Sequence, residues 1–284
     1  MTSPYAEGLF QKGIVESGAT ETMGVSFTTK EASEALTERV LENLGITPDN
    51  IEELQTVSNR ELQEASSKAL QDTANEYEFP AAFTDDYAME WGPVIDGDYM
   101  PTNPVTENGF ADAGKDIPLL IGSNLNEWTT FVPTIAHTNM TEEARNAYVQ
   151  AYPNKDVSGA ENVDTFIRLP MLKIMSHKVD QGGAPVYAYV FTWEDAARGS
   201  YHGAEIPFVF NNVSGDPDTQ KLAKTVSQAW INFAKTGTPS AEGLPVWEAF
   251  DRENGATMIL DSESKLVHNH DKKLMKLLEP EYIY

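Results

Sequence analysis

The chain has 284 residues, room for one large domain or two ordinary ones. It carries 20 Lys and Arg against 44 Asp and Glu, a formal charge of −24; this argues against nucleic acid or an anionic membrane as partner, since both need a basic face. There is no cysteine, which excludes disulfides, thiolate metal sites and a cysteine nucleophile and leans toward a reducing, cytoplasmic compartment. The 40% apolar and 10% aromatic content fit a globular protein with a real core. No apolar run approaches the ~18 residues of a membrane span. Residues 1–13 lack the basic and apolar regions of a signal peptide.

In chain order, LFQKGIVESG (9–18) reads as a helix end feeding a short strand, Gly13 to Ser17. Thr28 with Glu31 suggests a capping box for a helix whose Leu36, Val40 and Leu44 share a face, closed by Gly45. Thr47-Pro48 opens a second helix, and Ser58 with Glu61 a third that runs to about Ala74. Three short polar helices over about 28–80 suggest a cap-like layer or an ordinary surface insertion. WGPVIDGDYMP (91–101) is a strand, a turn at Asp96-Gly97 and a Pro-punctuated loop. The spacing of Asp96 and Asp98 is not that of a calcium loop.

IPLLIG (117–122) is a continuous apolar run, as expected of a strand buried on both faces. Helices follow over 141–152 and about 164–180, the second holding an inner Pro170 that should kink or split it. VYAYVFTW (186–193) is apolar on both faces and marks a central strand. Residues 218–236 place Leu222, Val226, Ala229, Trp230 and Phe233 on one helical stripe, with Gly237 as stop. A late strand (256–261) and a terminal helix (271–278) complete the alternation of an α/β fold with a largely parallel sheet.

Two loops carry the chemistry. GSNLNEWTTF (122–131) leaves one apolar strand with Glu127 at its tip, and GSYHGAEIPF (199–208) follows another with His202. In open α/β sheets, sites gather beyond the carboxyl ends of the strands. A carboxylate and then a histidine at two such ends form the back of a Ser…Glu…His triad in α/β-hydrolase chain order. The histidine moves the proton, and the carboxylate fixes its tautomer and stabilises the imidazolium. The front of the triad is absent, because no G-x-S-x-G occurs in the sequence. Ser17 is not that nucleophile, since Val15 stands where the glycine should be. The remaining histidines are weaker candidates. His268 and His270 alternate on a possible strand but lack a third metal ligand and read as surface residues, and His137 and His177 have no partner pattern. The sequons at Asn139 and Asn212 carry no meaning without a secretory context.

Six segments carry a resemblance: SPYAEGLFQKGIVESGA (3–19), WGPVIDGDYMP (91–101), IPLLIGSNLNEWTTF (117–131), VYAYVF (186–191), YHGAEIPFVF (201–210) and AWINFAKTGTP (229–239). In this order they resemble the type B carboxylesterase and cholinesterase family, of the para-nitrobenzyl-esterase kind, along essentially the whole chain. The resemblance implies the C-terminal portion of an α/β-hydrolase fold and hydrolysis of small-molecule carboxylic esters through an acyl-enzyme, with no metal or organic cofactor.

Residue by residue, the resemblance implies that Glu127 is the acid and His202 the base of the triad. It implies that Ser17 hydrogen-bonds Glu127. Trp128 and Phe131 on the acid loop would line the acyl or alcohol pocket, or pack in the core. The family usually has an acidic residue and a glycine flanking the acid; here Asn126 and Trp128 stand there. The family's serine elbow and glycine oxyanion loop would lie upstream of residue 3. The expectation is therefore a single carboxylesterase domain over 1–284, N-terminally truncated and inactive alone. Two alternatives stand beside it: a binding or adhesion module that kept the fold without catalysis, and one half of a split esterase whose N-terminal half is a separate partner chain.

Overall fold

Five strands form the main sheet of the computed structural model, which describes residues 1, 3–18, 27–81, 84, 86–106 and 109–284; Ala19, the last residue of the first resembling segment, lies outside them. The strands are β1 (Gly13–Glu16), β6 (Leu119–Asn124), β7 (Val186–Phe191), β8 (Ala256–Leu260) and β9 (Lys265–His268), side by side in that order. The first four run parallel and β9 returns antiparallel on β8. β6 and β7 are buried at every residue, as their unbroken apolar runs require of strands covered on both faces.

The described residues divide into two compact units. One takes the described residues within Met1, Ala6–Ala19 and Pro104–Tyr284; the other takes those within Thr2–Tyr5 and Thr20–Asn103. In the second unit β2 (Thr28–Thr29) pairs parallel with β3 (Val94–Ile95), and α1 (Lys30–Leu44) packs on α2 (Asn59–Glu76) through Leu36, Val40 and Ala69. The α1 cap differs from the expectation by one residue. Thr28 is drawn into β2, and it is the Thr29 side chain that accepts from the Ala32 N–H. Gly45 closes α1 at φ 70°, and Ser58 and Glu61 make the reciprocal cap of α2. The Pro48 segment is a 3₁₀ stretch, Pro48–Thr56, instead of an α-helix.

In the first unit a short hairpin, β4 (Val105–Thr106) with β5 (Gly109–Phe110), precedes β6. The helices are α3 (Glu142–Ala151), α4 (Arg168–Asp180), α5 (Ile206–Val209), α6 (Pro217–Thr236) and α7 (Lys272–Leu278). Pro170 does not kink α4. The helix starts at Arg168, which puts the proline in the first turn, where its missing N–H has no intrahelical partner to lose. The stretch leading into β1 is not a helix end: a 3₁₀ turn at Pro4–Ala6 runs into a turn at Glu7–Leu9, and Phe10–Lys12 are irregular.

The main core lies between the sheet and α6. Tyr187, Tyr189 and Phe191 of β7 meet Val226, Trp230 and Phe233 of α6, with Tyr189 and Trp230 edge to face at 5.2 Å. Val186, Ala188 and Val190 alternate onto the other face, the side on which α4 packs. Close packing of this kind leaves no room at Gly122 of β6, where a Cβ would come within 2.3 Å of the Tyr189 ring. Gly122→Ala is expected to cost about 1–3 kcal/mol by overpacking, read as a lower urea midpoint. Gly159→Ala, with only ordinary contact at 3.6 Å, should move the midpoint little. Equal midpoints for both variants would refute this account of the β6–β7 seam.

Candidate active site

Parallel pairing brings the carboxyl ends of three neighbouring strands to the same edge of the sheet. Glu16 of β1 lies beside Gly122 of β6, and Asn124 of β6 beside Phe191 of β7. The chain beyond each strand carries one member of a connected group: Ser17 after β1, Glu127 after β6 and His202 after β7. The carboxylate of Glu127 is fully buried. Its Oε1 accepts from Ser17 Oγ at 2.6 Å and from the Asn124 backbone N–H at 2.6 Å. Its Oε2 lies 2.7 Å from His202 Nδ1. A carboxylate in that place makes Nδ1 the protonated nitrogen and leaves Nε2 as the basic one. Among the described residues Nε2 makes no hydrogen bond, and the His202 side chain is 33% exposed.

Backbone geometry holds the pair. Glu127 and Ser17 sit at φ 36° and φ 52°, in the left-handed region that non-glycine residues seldom adopt. The His202 N–H donates to the Glu127 carbonyl at 2.8 Å, and Glu127 and Tyr201 form an isolated parallel bridge. The two loops are laced further by Asn126. Its N–H donates to the Ser200 carbonyl, its Oδ1 accepts from the Ser200 N–H at 2.8 Å, and its Nδ2 reaches the Asn162 carbonyl at 3.1 Å. A neutral amide can both donate and accept here, which an acid in this position could not do while ionised.

Trp128 stacks on the His202 ring with centroids 4.6 Å apart. Phe131 stands further out, half exposed, edge-on to Trp128 and Tyr201. Arg198 lies over the Tyr201 ring at 3.8 Å and donates to its hydroxyl. The aromatic wall beside His202 is therefore one connected cluster.

Two further carboxyls, not singled out from the sequence, surround Glu127. Glu205 is buried; its Oε2 accepts from Asn124 Nδ2 at 2.5 Å. Asp164 is buried and accepts the N–H groups of Phe166, Ile167 and Arg168, capping α4. Burial, then the charge of Glu127, pushes Asp164 up to about 7 against the pull of those N–H groups. Burial likewise pushes Glu205 up to about 7 against the hydrogen bond from Asn124. Glu205 was legible in H-G-A-E-I, three residues after the histidine, whereas Asp164 carried only the weak signal of an acid before an apolar helix.

The other histidines do not join the site. His268 ends β9 and pairs with Glu248 at 3.0 Å. His270 is not a surface residue: its side chain is 5% exposed, and burial holds it down at about 4. Asp271 beside it is claimed by Arg168, and no group of three or more metal-binding side chains occurs among the described residues. No helix among them is long and apolar enough to cross a membrane.

A model of the carboxylesterase family matches residues 1–162 and 154–277. The para-nitrobenzyl esterase of Bacillus subtilis (strain 168) is 30% identical over 304 residues, covering 99% of this chain and 59% of that protein. Phenmedipham hydrolase of Pseudarthrobacter oxydans is 27% identical over 292 residues, covering 92% and 56%. A solved PNB esterase superposes with a TM-score of 0.69 at 27% identity, over 98% of this chain and 59% of that one. An esterase from Clostridium hathewayi superposes with a TM-score of 0.78 at 24% identity, covering 99% and 58%, a likeness of fold. The chain thus spans less than two thirds of the length of each of these relatives.

The hydrogen bond to Glu127 raises the His202 imidazole above its ordinary 6.5, and burial opposes it. A raised histidine stabilises the fold in full below 6.5, for as long as Glu127 keeps its charge, and that contribution fades as pH rises through the folded value. The raised carboxyls act in the same sense: Asp164 and Glu205 favour the fold most below 3.8 and 4.5, and less as pH climbs to about 7. An NMR titration of His202 should give a midpoint above 6.5, and Glu127→Gln should bring it down to or below that value. An unchanged midpoint in the variant would mean the pair is not formed in solution.

Proposed function

The chain belongs to the carboxylesterase family and has the α/β-hydrolase fold, and on that premise we propose that it supplies the acid and base of a serine esterase. The observation that carries this reading is the buried Glu127 carboxylate on His202 Nδ1 at 2.7 Å, with Nε2 left unbonded among the described residues. The substrate class is a carboxylic ester. The nucleophilic serine and the oxyanion donors come from polypeptide outside these 284 residues, preceding it in the same protein or arriving as a separate half.

In the first half-reaction the serine Oγ attacks the ester carbonyl carbon while His202 Nε2 takes its proton. Glu127 keeps the proton of Nδ1 in place and stabilises the imidazolium that forms. The tetrahedral intermediate collapses, the C–O bond to the alcohol breaks, and His202 returns the proton to the leaving oxygen. Water then repeats the sequence on the acyl-enzyme, releasing the acid. Ser17 donates to Glu127 and stays out of the bond changes. Trp128, stacked on His202, and Phe131 beyond it would form the wall against which the acyl or alcohol group lies.

In the protein that contains the complete triad, His202→Ala is expected to lower kcat by about 10⁶-fold and Glu127→Gln by about 10⁴-fold on a p-nitrophenyl ester. Ser17→Ala, which leaves one buried carboxylate oxygen a donor short, should lower it by about 10-fold. The 284-residue chain alone should neither turn over ester nor take up a fluorophosphonate serine probe. Labelling of the chain alone that is lost in Ser17→Ala would move the nucleophile to Ser17. A folded complete protein that the probe never labels would overturn the esterase reading in favour of a binding module.

A further inference from the structure

Helices α4 and α7, with the stretch around Phe250–Gly255 and Tyr282–Tyr284, line a half-open cavity of about 740 Å³. That is within the ~300–1,000 Å³ of small-molecule sites. Its wall bears five cationic side chains, Arg168, Arg252, Lys272, Lys273 and Lys276, and one acidic side chain, Asp271. In a chain with 20 Lys and Arg against 44 Asp and Glu, this concentration runs against the composition.

Three of the five are already matched. Arg168 pairs with Asp271 at 2.7 Å, Arg252 with Asp180 at 2.7 Å and Lys273 with Glu143 at 2.9 Å. Arg252 Nη1 also donates to the Tyr284 main-chain oxygen at 2.7 Å. Lys272 and Lys276 have no acidic partner among the described residues, and Lys276 Nζ donates to the Pro280 carbonyl. Arg168 adds an independent sign. It is 3% exposed, its Nε and Nη2 are held by Asp271, and its buried Nη1 has no hydrogen-bond partner. Buried polar groups are nearly always satisfied, so a wall residue with an orphaned N–H is a donor waiting for an acceptor. Between the cations the wall is apolar, with Leu172, Phe250 and Leu277.

We propose that this cavity is a binding site for an amphipathic carboxylate, an acid head on an aliphatic or aromatic body. The head lies between Lys272 and Lys276, on the side of the cavity that Arg168 lines, and the body lies on Leu172, Phe250 and Leu277. An inorganic anion would leave the apolar wall unused, and a neutral hydrocarbon would leave the cations unmatched. The site shares no residue with the Glu127–His202 pair and its occupancy does not rest on ester hydrolysis.

The test is calorimetric titration of the purified protein with decanoate, decan-1-ol and inorganic phosphate. Decanoate should bind at one site per chain, with affinity falling as salt rises. The alcohol and phosphate should each bind at least about 10-fold more weakly. The double variant Lys272→Gln/Lys276→Gln, at solvent-accessible positions that carry no ion pair, should fold normally and weaken decanoate by about 10-fold or more. Lys221→Gln/Lys224→Gln on the exposed face of α6 should leave it unchanged. Equal binding of alcohol and acid, equal binding of phosphate and acid, or a cavity variant that binds like the native protein would each overturn the proposal.

Discussion

The arrangement of the site depends on one buried charge. A carboxylate moved out of water costs several kcal/mol unless its oxygens are filled. Glu127 meets that demand with three donors from three separate parts of the chain: Ser17 Oγ beyond β1, the Asn124 N–H at the end of β6 and His202 beyond β7. Each such charge-assisted bond returns about 1.5–3 kcal/mol. Because the donors sit at or beyond the carboxyl ends of three neighbouring strands, satisfying the acid ties together the chain segments that leave one edge of the sheet. The left-handed turns at Ser17 and Glu127 are strain that this closure holds in place.

The sheet's own logic was open to a sequence reader. IPLLIG and VYAYVF have no polar alternation, so they had to be covered on both faces, and both are buried throughout. The stripe on α6 and its glycine stop lie where the periodicity puts them, since a 20-residue amphipathic helix averages out local ambiguity. What the sequence left out has physical reasons. Thr28 and Thr29 are equally good caps, and only pairing of Thr28 with Val94, 66 residues away in sequence and invisible to local pattern, decides between them. Pro170 read as a helix breaker because nothing local shows that the helix begins at Arg168; the Asp164 carboxylate that organises that start was read as part of the helix.

Around the acid, chain order gave Glu127 and His202, and the resemblance gave Ser17. It did not give what laces the loops. Asn126 departs from the family's pattern, yet its side-chain amide accepts from the Ser200 N–H and donates to the Asn162 carbonyl, while its backbone N–H donates to the Ser200 carbonyl. Gly199 is the counterpart of that contact. A Cβ there would come within 2.6 Å of Asn126 Oδ1, and the residue's φ of 67° suits glycine alone, so the amide and the glycine fit as a pair. No single-residue pattern announces such a pair, because each half looks ordinary without the other.

Asp164 shows how one residue ties the candidate site to the architecture. Its oxygens take three N–H groups at the start of α4, and its own N–H donates to the carbonyl of Leu125, two residues before the acid. The cap therefore sets the height of α4 against the acid loop. The residue it fixes at the helix start, Arg168, sends its guanidinium to Asp271 immediately before α7. A helix end needs a negative or polar acceptor, and a loop carrying a buried acid needs a fixed backbone. A single carboxyl serves both needs, and the proximity of Glu127 that this requires is one of the forces, after burial, that drives Asp164 toward its neutral form.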